Sequence, residues 1–216
     1  MEIILQDVAK HFGPAGSERE VVLQGLTLTF PPGSRTAVLG PNGSGKSTLL
    51  QLVGGVTAPT HGRIEHRMGG GTVRQEDLYR HVGIAAPYLG LYEDLTMREA
   101  VSFHARFKSL LDGIGTEDMA NIASLGHALE KPVLHFSSGM KQRLKLSLAI
   151  LSDTPLLLLD EPASNLDAGA VSWFRDLLAR HVGDRTLIIA SNRQPAEHDL
   201  CTNVVEVERW KSRDGN

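Results

Sequence analysis

Gly40-Pro41-Asn42-Gly43-Ser44-Gly45-Lys46-Ser47-Thr48 satisfies every fixed position of the phosphate-loop pattern G-x-x-x-x-G-K-[ST]. The run before it, Thr36-Ala37-Val38-Leu39, is short, apolar and β-prone. The run after it, Leu49-Leu50-Gln51-Leu52-Val53, is apolar and helix-prone. Strand, glycine loop and helix form the context in which the pattern has a mechanism. Gly40, Gly43 and Gly45 are expected to take positive φ, so that successive N–H groups point inward at phosphate oxygens. A helix beginning near Lys46 adds the positive end of its dipole. Lys46 brings a point charge to the outer phosphates, and the Ser47 hydroxyl a ligand for Mg²⁺.

The remainder of the chain is consistent with such a site. Its 216 residues suffice for one domain, or one domain with a subdomain, around a sizeable core. A net charge of −3 carries no overall nucleic-acid footprint. Cys201 is the only cysteine, so a disulfide framework is excluded and a reducing compartment is expected. The opening Met1–Asp7 is too acidic and too briefly apolar for a signal peptide. No run approaches ~18 apolar residues, so the chain is not expected to cross a membrane by itself.

Along the chain, Glu2–Ala9 and Val21–Phe30 read as strands, the second alternating as a half-buried strand does. Gly13–Ser17 and Pro31–Gly33 read as turns. Gly62–His66 reads as a strand, Met68–Gly71 as a loop, Glu76–His81 as a short helix and Val82–Ala86 as a buried strand. Thr96 to Leu111 has helical spacing, with Thr96 as N-cap and Glu99 closing a capping box. A short helix is placed near Glu117–Leu125, and longer ones over Ser138–Leu151 and Ala168–His181. Leu156–Leu159 and Thr186–Ala190 read as buried strands, Asn203–Val207 as an edge strand, and Lys211–Asn216 as a polar tail. Near-continuous apolar strands on both sides of a helical middle predict an α/β fold around one mostly parallel sheet.

Further stretches carry chemistry. In Leu156-Leu157-Leu158-Leu159-Asp160-Glu161-Pro162 an apolar strand delivers a carboxylate to the carboxyl edge of the sheet, where ligands of open α/β folds sit. Asp160 is the expected Mg²⁺ ligand, and Glu161 the group that polarises an attacking water. A solvated acidic turn would explain the same residues in isolation; beside a phosphate loop it explains less. Phe136-Ser137-Ser138-Gly139-Met140-Lys141-Gln142-Arg143 begins a helix with residues that offer a hydroxyl and N–H groups to an anion. Alone, that stretch is an ordinary N-cap.

Together these residues resemble the ATP-binding cassette (ABC) ATPase family over nearly the whole chain. Gly40–Thr48 is similar to the Walker A loop, and Leu156–Glu161 to Walker B with its catalytic glutamate. Ser137, Ser138, Gly139, Met140 and Gln142 are similar to the L-S-G-G-Q signature, with Phe136 for leucine, Ser138 for the first glycine and Met140 for the glutamine. Ser164-Asn165-Leu166-Asp167 resembles the D-loop, and Phe12 stands where an aromatic stacks on adenine; a core phenylalanine is the plain alternative. Two positions depart from the family. Pro87 occupies the place of a glutamine, and Asn192 that of a histidine. An asparagine donates a hydrogen bond but carries no proton or charge, and its amide is expected to be too short to span both of the histidine's partners. Asn192 is still the catalytic-site residue there, and slow hydrolysis by the isolated chain is expected.

The resemblance implies a P-loop NTPase of ABC type, with an antiparallel β region at the N-terminus and an inserted helical subdomain. Residues 1–86 and 152–216 form the nucleotide-binding core and 87–151 the helical subdomain. It implies ATP and Mg²⁺ as ligands, and a small bacterial exporter-type cassette on the cytoplasmic face of the membrane. Cassettes of haem export in cytochrome c maturation are possible cousins. The implied partners are a separate transmembrane permease and a second copy of the chain or a homologous cassette, with no nucleic acid. Ser137 and Gly139 would face ATP held by the other copy. Tyr88, Leu89, Leu91 and Tyr92 are candidates for the permease-docking groove; a subdomain core explains them equally. The alternative function is a soluble, non-transport ABC ATPase switch. A P-loop kinase or GTPase leaves Ser137–Gln142 and Glu161 without a role.

Overall fold

A strand flanked by strands and covered on both faces must be apolar throughout, and this chain provides several such runs. The computed structural model describes residues 1–13 and 20–211. The chain opens with β1 (Glu2–Phe12), β2 (Glu20–Phe30), β3 (Arg35–Leu39), helix α1 (Lys46–Val53), β4 (His61–Met68), β5 (Gly71–Thr72) and β6 (Val82–Ala85). It continues with helices α2 (Met97–Ala105), α3 (Thr116–Ile122) and α4 (Ser138–Ile150), then β7 (Leu156–Asp160), α5 (Ala168–His181), β8 (Thr186–Ser191), α6 (Pro195–His198) and β9 (Asn203–Glu206).

A five-stranded sheet has the order β6-β7-β8-β3-β9, and every neighbouring pair is parallel. Its inner strands β7 and β8 are buried at every residue. A second, four-stranded sheet has the order β2-β1-β4-β5 and is antiparallel. The antiparallel region therefore draws β4 and β5 from beyond α1 and is not confined to the N-terminus.

Alternation along β7 divides the core. Leu156 and Leu158 pack with Leu49, Leu50 and Val53 of α1 and with Ile3, Leu5, Leu26 and Phe30 of the antiparallel sheet. Leu157 and Leu159 face the other way, onto Leu144 and Leu148 of α4 and Phe174 and Leu177 of α5. Met97, Val101 and Met119, from α2 and α3, belong to that second cluster. Helix α1 is thus held between two sheets, which fixes where the loop preceding it points.

Several local expectations need correction. Helix α2 ends at Ala105, not near Leu111. Its capping box is present: the Glu99 N–H donates to Thr96 Oγ1 (3.2 Å) and the Thr96 N–H to Glu99 Oε2 (2.8 Å). Beyond Ala105 the chain is drawn to the end of α4, where the Leu111 N–H donates to the Leu151 carbonyl (2.9 Å). Helical spacing cannot reveal that non-local pairing. The loop read at Met68–Gly71 is a tight hairpin between β4 and β5, and Gln75–His81 is a 3₁₀ helix. The turn at Gly13–Ser17, Gly13 apart, and the tail beyond Lys211 lie outside the described residues. Among the described residues no helix is long and apolar enough to cross a membrane.

Candidate active site

Four adjacent strands of the parallel sheet end on one edge. β3 runs into the glycine loop, β7 into Asp160 and Glu161, β8 into Asn192, and β6 into Pro87 and Tyr88. The glycines act differently from one another. Gly43 and Gly45 take φ of 75° and 96°, as expected. Gly40 does not take positive φ; a Cβ there would lie 2.5 Å from Ser44 Oγ, so close approach demands glycine. The buried Ser44 hydroxyl has no hydrogen-bond partner.

Lys46 is only 4% exposed and lies along its own loop. Its Nζ donates to the carbonyls of Gly40 (2.9 Å) and Pro41 (3.0 Å) and to Asn192 Oδ1 (2.5 Å). The Asn192 Nδ2–H donates onward to Glu161 Oε1 (2.7 Å), which is 3.9 Å from Lys46 Nζ. The amide therefore spans Lys46 and Glu161, and reaches the glutamate that is one of the two partners expected of the histidine. Burial lowers the Lys46 pKa, with the charges of Glu161 and Asp160 working against that shift.

Asp160 is 1% exposed, and neither carboxylate oxygen has a hydrogen-bond partner. Burial pushes its pKa up, while Ser47, which faces it without reaching hydrogen-bond geometry, pulls the other way. A buried, unsatisfied carboxylate costs ~1–3 kcal/mol or more. A cation between Ser47 and Asp160 would remove that cost, so the residues fit Mg²⁺. No group of three or more His, Cys, Asp or Glu that could hold a metal occurs among the described residues. A hard cation that keeps most of its water and takes phosphate oxygens needs no such group.

Phe12, Glu20, Asn42–Thr48 and Glu161 line a cavity of about 420 Å³. Phe12 is 42% exposed at its rim, which removes the core alternative, and Lys10 Nζ sits 5.0 Å from its ring centroid. Pro41 and Thr48 belong to the same loop and first turn. Pro87 is exposed in a turn closed by the Leu89 N–H to the Ala86 carbonyl (3.2 Å) and offers no donor there. The Tyr88 phenol, read as a docking residue, is raised in pKa by burial and then by the charge of Asp160.

The signature stretch lies elsewhere. Ser137 caps α4, its Oγ accepting the Met140 N–H (3.2 Å), and Ser138 is exposed on the first turn. Ser137, Gly139, Met140, Asn165 and Asp167 line a separate cavity of about 260 Å³ that shares no lining residue with the first. Asp167 caps α5, accepting the Ala170 N–H at Oδ1 (2.7 Å). Gln142 needs correction: expected to face a partner's ATP, it is buried, and its Nε2–H donates to the Pro162 carbonyl of its own chain (2.9 Å). One turn of helix separates it from the exposed Ser138 face.

A groove of about 400 Å³ is lined by Leu89, Leu91, Tyr92, Tyr79, Phe103, Phe107, Lys108 and Lys145, among others. Tyr88 does not line it. Tyr92, Phe103 and Phe107 form edge-to-face pairs with centroids 5.0 and 5.1 Å apart, and Tyr92 is 65% exposed.

Comparison with known proteins agrees with this geometry. A match to the family described as ABC transporter covers residues 23–164. The chain is 31% identical to the cytochrome c biogenesis ATP-binding export protein CcmA of Mesorhizobium japonicum, covering 83% of this chain and 89% of that protein. It is 31% identical to the Nod factor export ATP-binding protein I of Burkholderia lata, covering 97% of this chain and 68% of that one. It spans only 11% of the ABC transporter ced-7 of Caenorhabditis elegans, at 30% identity. Among solved structures, the dimeric bacterial cassette MJ0796 superposes with a TM-score of 0.81 at 23% identity, over 99% of this chain and 100% of that one. The loop after β3, the carboxylates after β7 and the match over residues 23–164 give one conclusion: the chain belongs to the ABC transporter family, as an ATP-binding, ATP-hydrolysing cassette.

Proposed function

We propose that the chain binds Mg·ATP at the edge where β3, β7 and β8 end, and that it hydrolyses the nucleotide as one half of a dimer that drives a separate membrane permease. The observation that carries this reading is the hydrogen-bonded chain Lys46–Asn192–Glu161 beside an unpartnered, buried Asp160. Gly40–Thr48 cradle the phosphates and Phe12 stacks on the base. On binding, Lys46 exchanges loop carbonyls for phosphate oxygens. Ser47 and Asp160 would hold Mg²⁺, which would supply charge neutralisation to the phosphates. Glu161 accepts a proton from water as its oxygen bonds to the γ-phosphorus and the bond to ADP breaks. Asn192 holds the Glu161 carboxylate in position by its 2.7 Å bond.

Ser137 and Gly139, in a cavity of their own, face the γ-phosphate held by a second copy or a homologous cassette; Ser138, Met140 and Asp167 flank that contact. The aromatic groove beside Tyr92 supports a permease helix as occupant, and hence a transporter rather than a free-standing switch. On this reading the chain works at the cytoplasmic face of the membrane. Residues 1–86 and 152–216 act as the nucleotide-binding core and 87–151 as the helical subdomain. Lys46→Ala tests the site. Equilibrium titration should show ATP affinity lowered roughly ten- to a hundred-fold, from a lost charge-assisted contact of ~1.5–3 kcal/mol. Unchanged affinity would remove Lys46 from the site.

A further inference from the structure

Glu197 is the buried carboxylate that the ATPase chemistry leaves unused. It lies on the short helix α6 and is 3% exposed. Its Oε1 accepts the Ala163 N–H (3.0 Å) from the turn that follows Glu161. Its Oε2 accepts the hydroxyl of Ser191, the last residue of β8. Ser191 Oγ in turn accepts the Gln194 N–H (3.2 Å), closing the loop that carries Asn192. One carboxylate therefore joins the turn bearing the base to the strand end bearing Asn192.

The turn needs such a support. Glu161 holds φ of 47°, in the left-handed region that is unfavourable for a residue with a side chain. Its own N–H donates to the Ala190 carbonyl (2.9 Å), and the Ser164 N–H to the Glu161 carbonyl (3.0 Å). These bonds fix the backbone of Glu161 itself. Glu197 links Ala163, two residues further on, through its side chain to the loop opposite. The two loops must hold register to tenths of an ångström for the 2.7 Å contact between Asn192 and Glu161 to persist.

We propose that Glu197 is a positioning residue of the ATPase: its carboxylate staples the turn after β7 to the end of β8 and so keeps Glu161 and Asn192 in contact. It touches neither nucleotide nor water and acts through those two residues. The inference rests on Glu161 being the base, as proposed above.

The test is single-turnover ATP hydrolysis by the full chain, with ATP affinity measured separately for each variant. Glu197→Ala removes both anchors. The chemical step should fall about 10- to 100-fold, as for a reacting group displaced by about 1 Å, while affinity changes less than about threefold. Glu197→Gln retains an acceptor for Ala163 and places a donor beside Ser191, and should recover most of the rate. Ser191→Ala, which removes one anchor only, should fall between the two, so that the outcome does not depend on Glu197→Ala folding well. Because Glu197 acts through the Asn192 contact, Glu197→Ala combined with Asn192→Ala should be no slower than the worse single variant. Glu161→Gln in the same assay separates the two claims. If it is no slower than wild type, the base assignment fails. If it is inactive but Glu197→Ala hydrolyses at the wild-type rate, or loses affinity and rate in equal measure, the staple is refuted. A wild type that binds ATP and shows no hydrolysis contradicts both.

Discussion

At residue scale the site is decided by which polar atoms have partners and which do not. Lys46, Asn192 and Glu161 form a continuous chain of hydrogen bonds, while both oxygens of Asp160 are left open. A bare ammonium in this position would be costly, and two loop carbonyls and an amide oxygen offset that cost until phosphate replaces them. Asn192 should therefore matter to chemistry more than to binding. Asn192→Ala should slow single-turnover hydrolysis about 10²-fold, the usual consequence of losing a positioned donor worth ~2.7–4 kcal/mol. Because the site is built around an amide that spans both neighbours, Asn192→His should be no faster than wild type. A several-fold faster chemical step in Asn192→His, at equal affinity, would restore the reading in which asparagine weakens the site. Lys46, Ser47, Asp160 and Glu161 were legible in the sequence because each sits inside a local motif. The span of Asn192 was not, since its partners arrive from α1 and β7. Glu197 had no signal at all: a glutamate on a short polar stretch looks solvated until its burial is seen.

At the scale of elements, the strands of the parallel sheet were the easiest to read, because burial on both faces leaves an unbroken apolar run, as in Leu156–Leu159. The association of β4 with β1 was not readable. Both are inner strands of the antiparallel sheet but lie about fifty residues apart in sequence, and only α1 lying against them shows which residues face the core. The end of helix α2 at Ala105 was unreadable for a related reason: the segment beyond it is drawn away, where the Leu111 N–H donates to the Leu151 carbonyl, a pairing local spacing cannot show. Gln142 shows how a motif can be read correctly in place and wrongly in orientation. It ties α4 to the turn after β7 through the Pro162 carbonyl. Gln142→Met keeps the volume but leaves that buried carbonyl unsatisfied. Chemical denaturation should show a loss of ~1–3 kcal/mol, with ATP-dependent dimerisation retained once the variant is folded. Full stability with lost dimerisation would instead place Gln142 at the partner's nucleotide.

At the scale of the whole molecule, the arrangement is a site in two separated parts. The phosphate loop opens into one cavity, and Ser137, Gly139 and Asp167 line another with no residue in common. On the proposed function, a second cassette completes the site by bringing its own Ser137 and Gly139 to the nucleotide. On the same reading, closure of such a pair on ATP would drive a permease helix seated in the groove beside Tyr92, Phe103 and Phe107. This division was implied by family resemblance and not by spacing, because the distance between two loops is a property of the folded chain. The measurement that tests it most directly is light scattering on Glu161→Gln with Mg·ATP over a wide range of protein concentration. Loss of the base without loss of volume should trap the nucleotide, so the account predicts a mass of two chains with Mg·ATP and of one chain without it. A single-chain mass at every concentration, with ATP shown to be bound, would contradict the composite site.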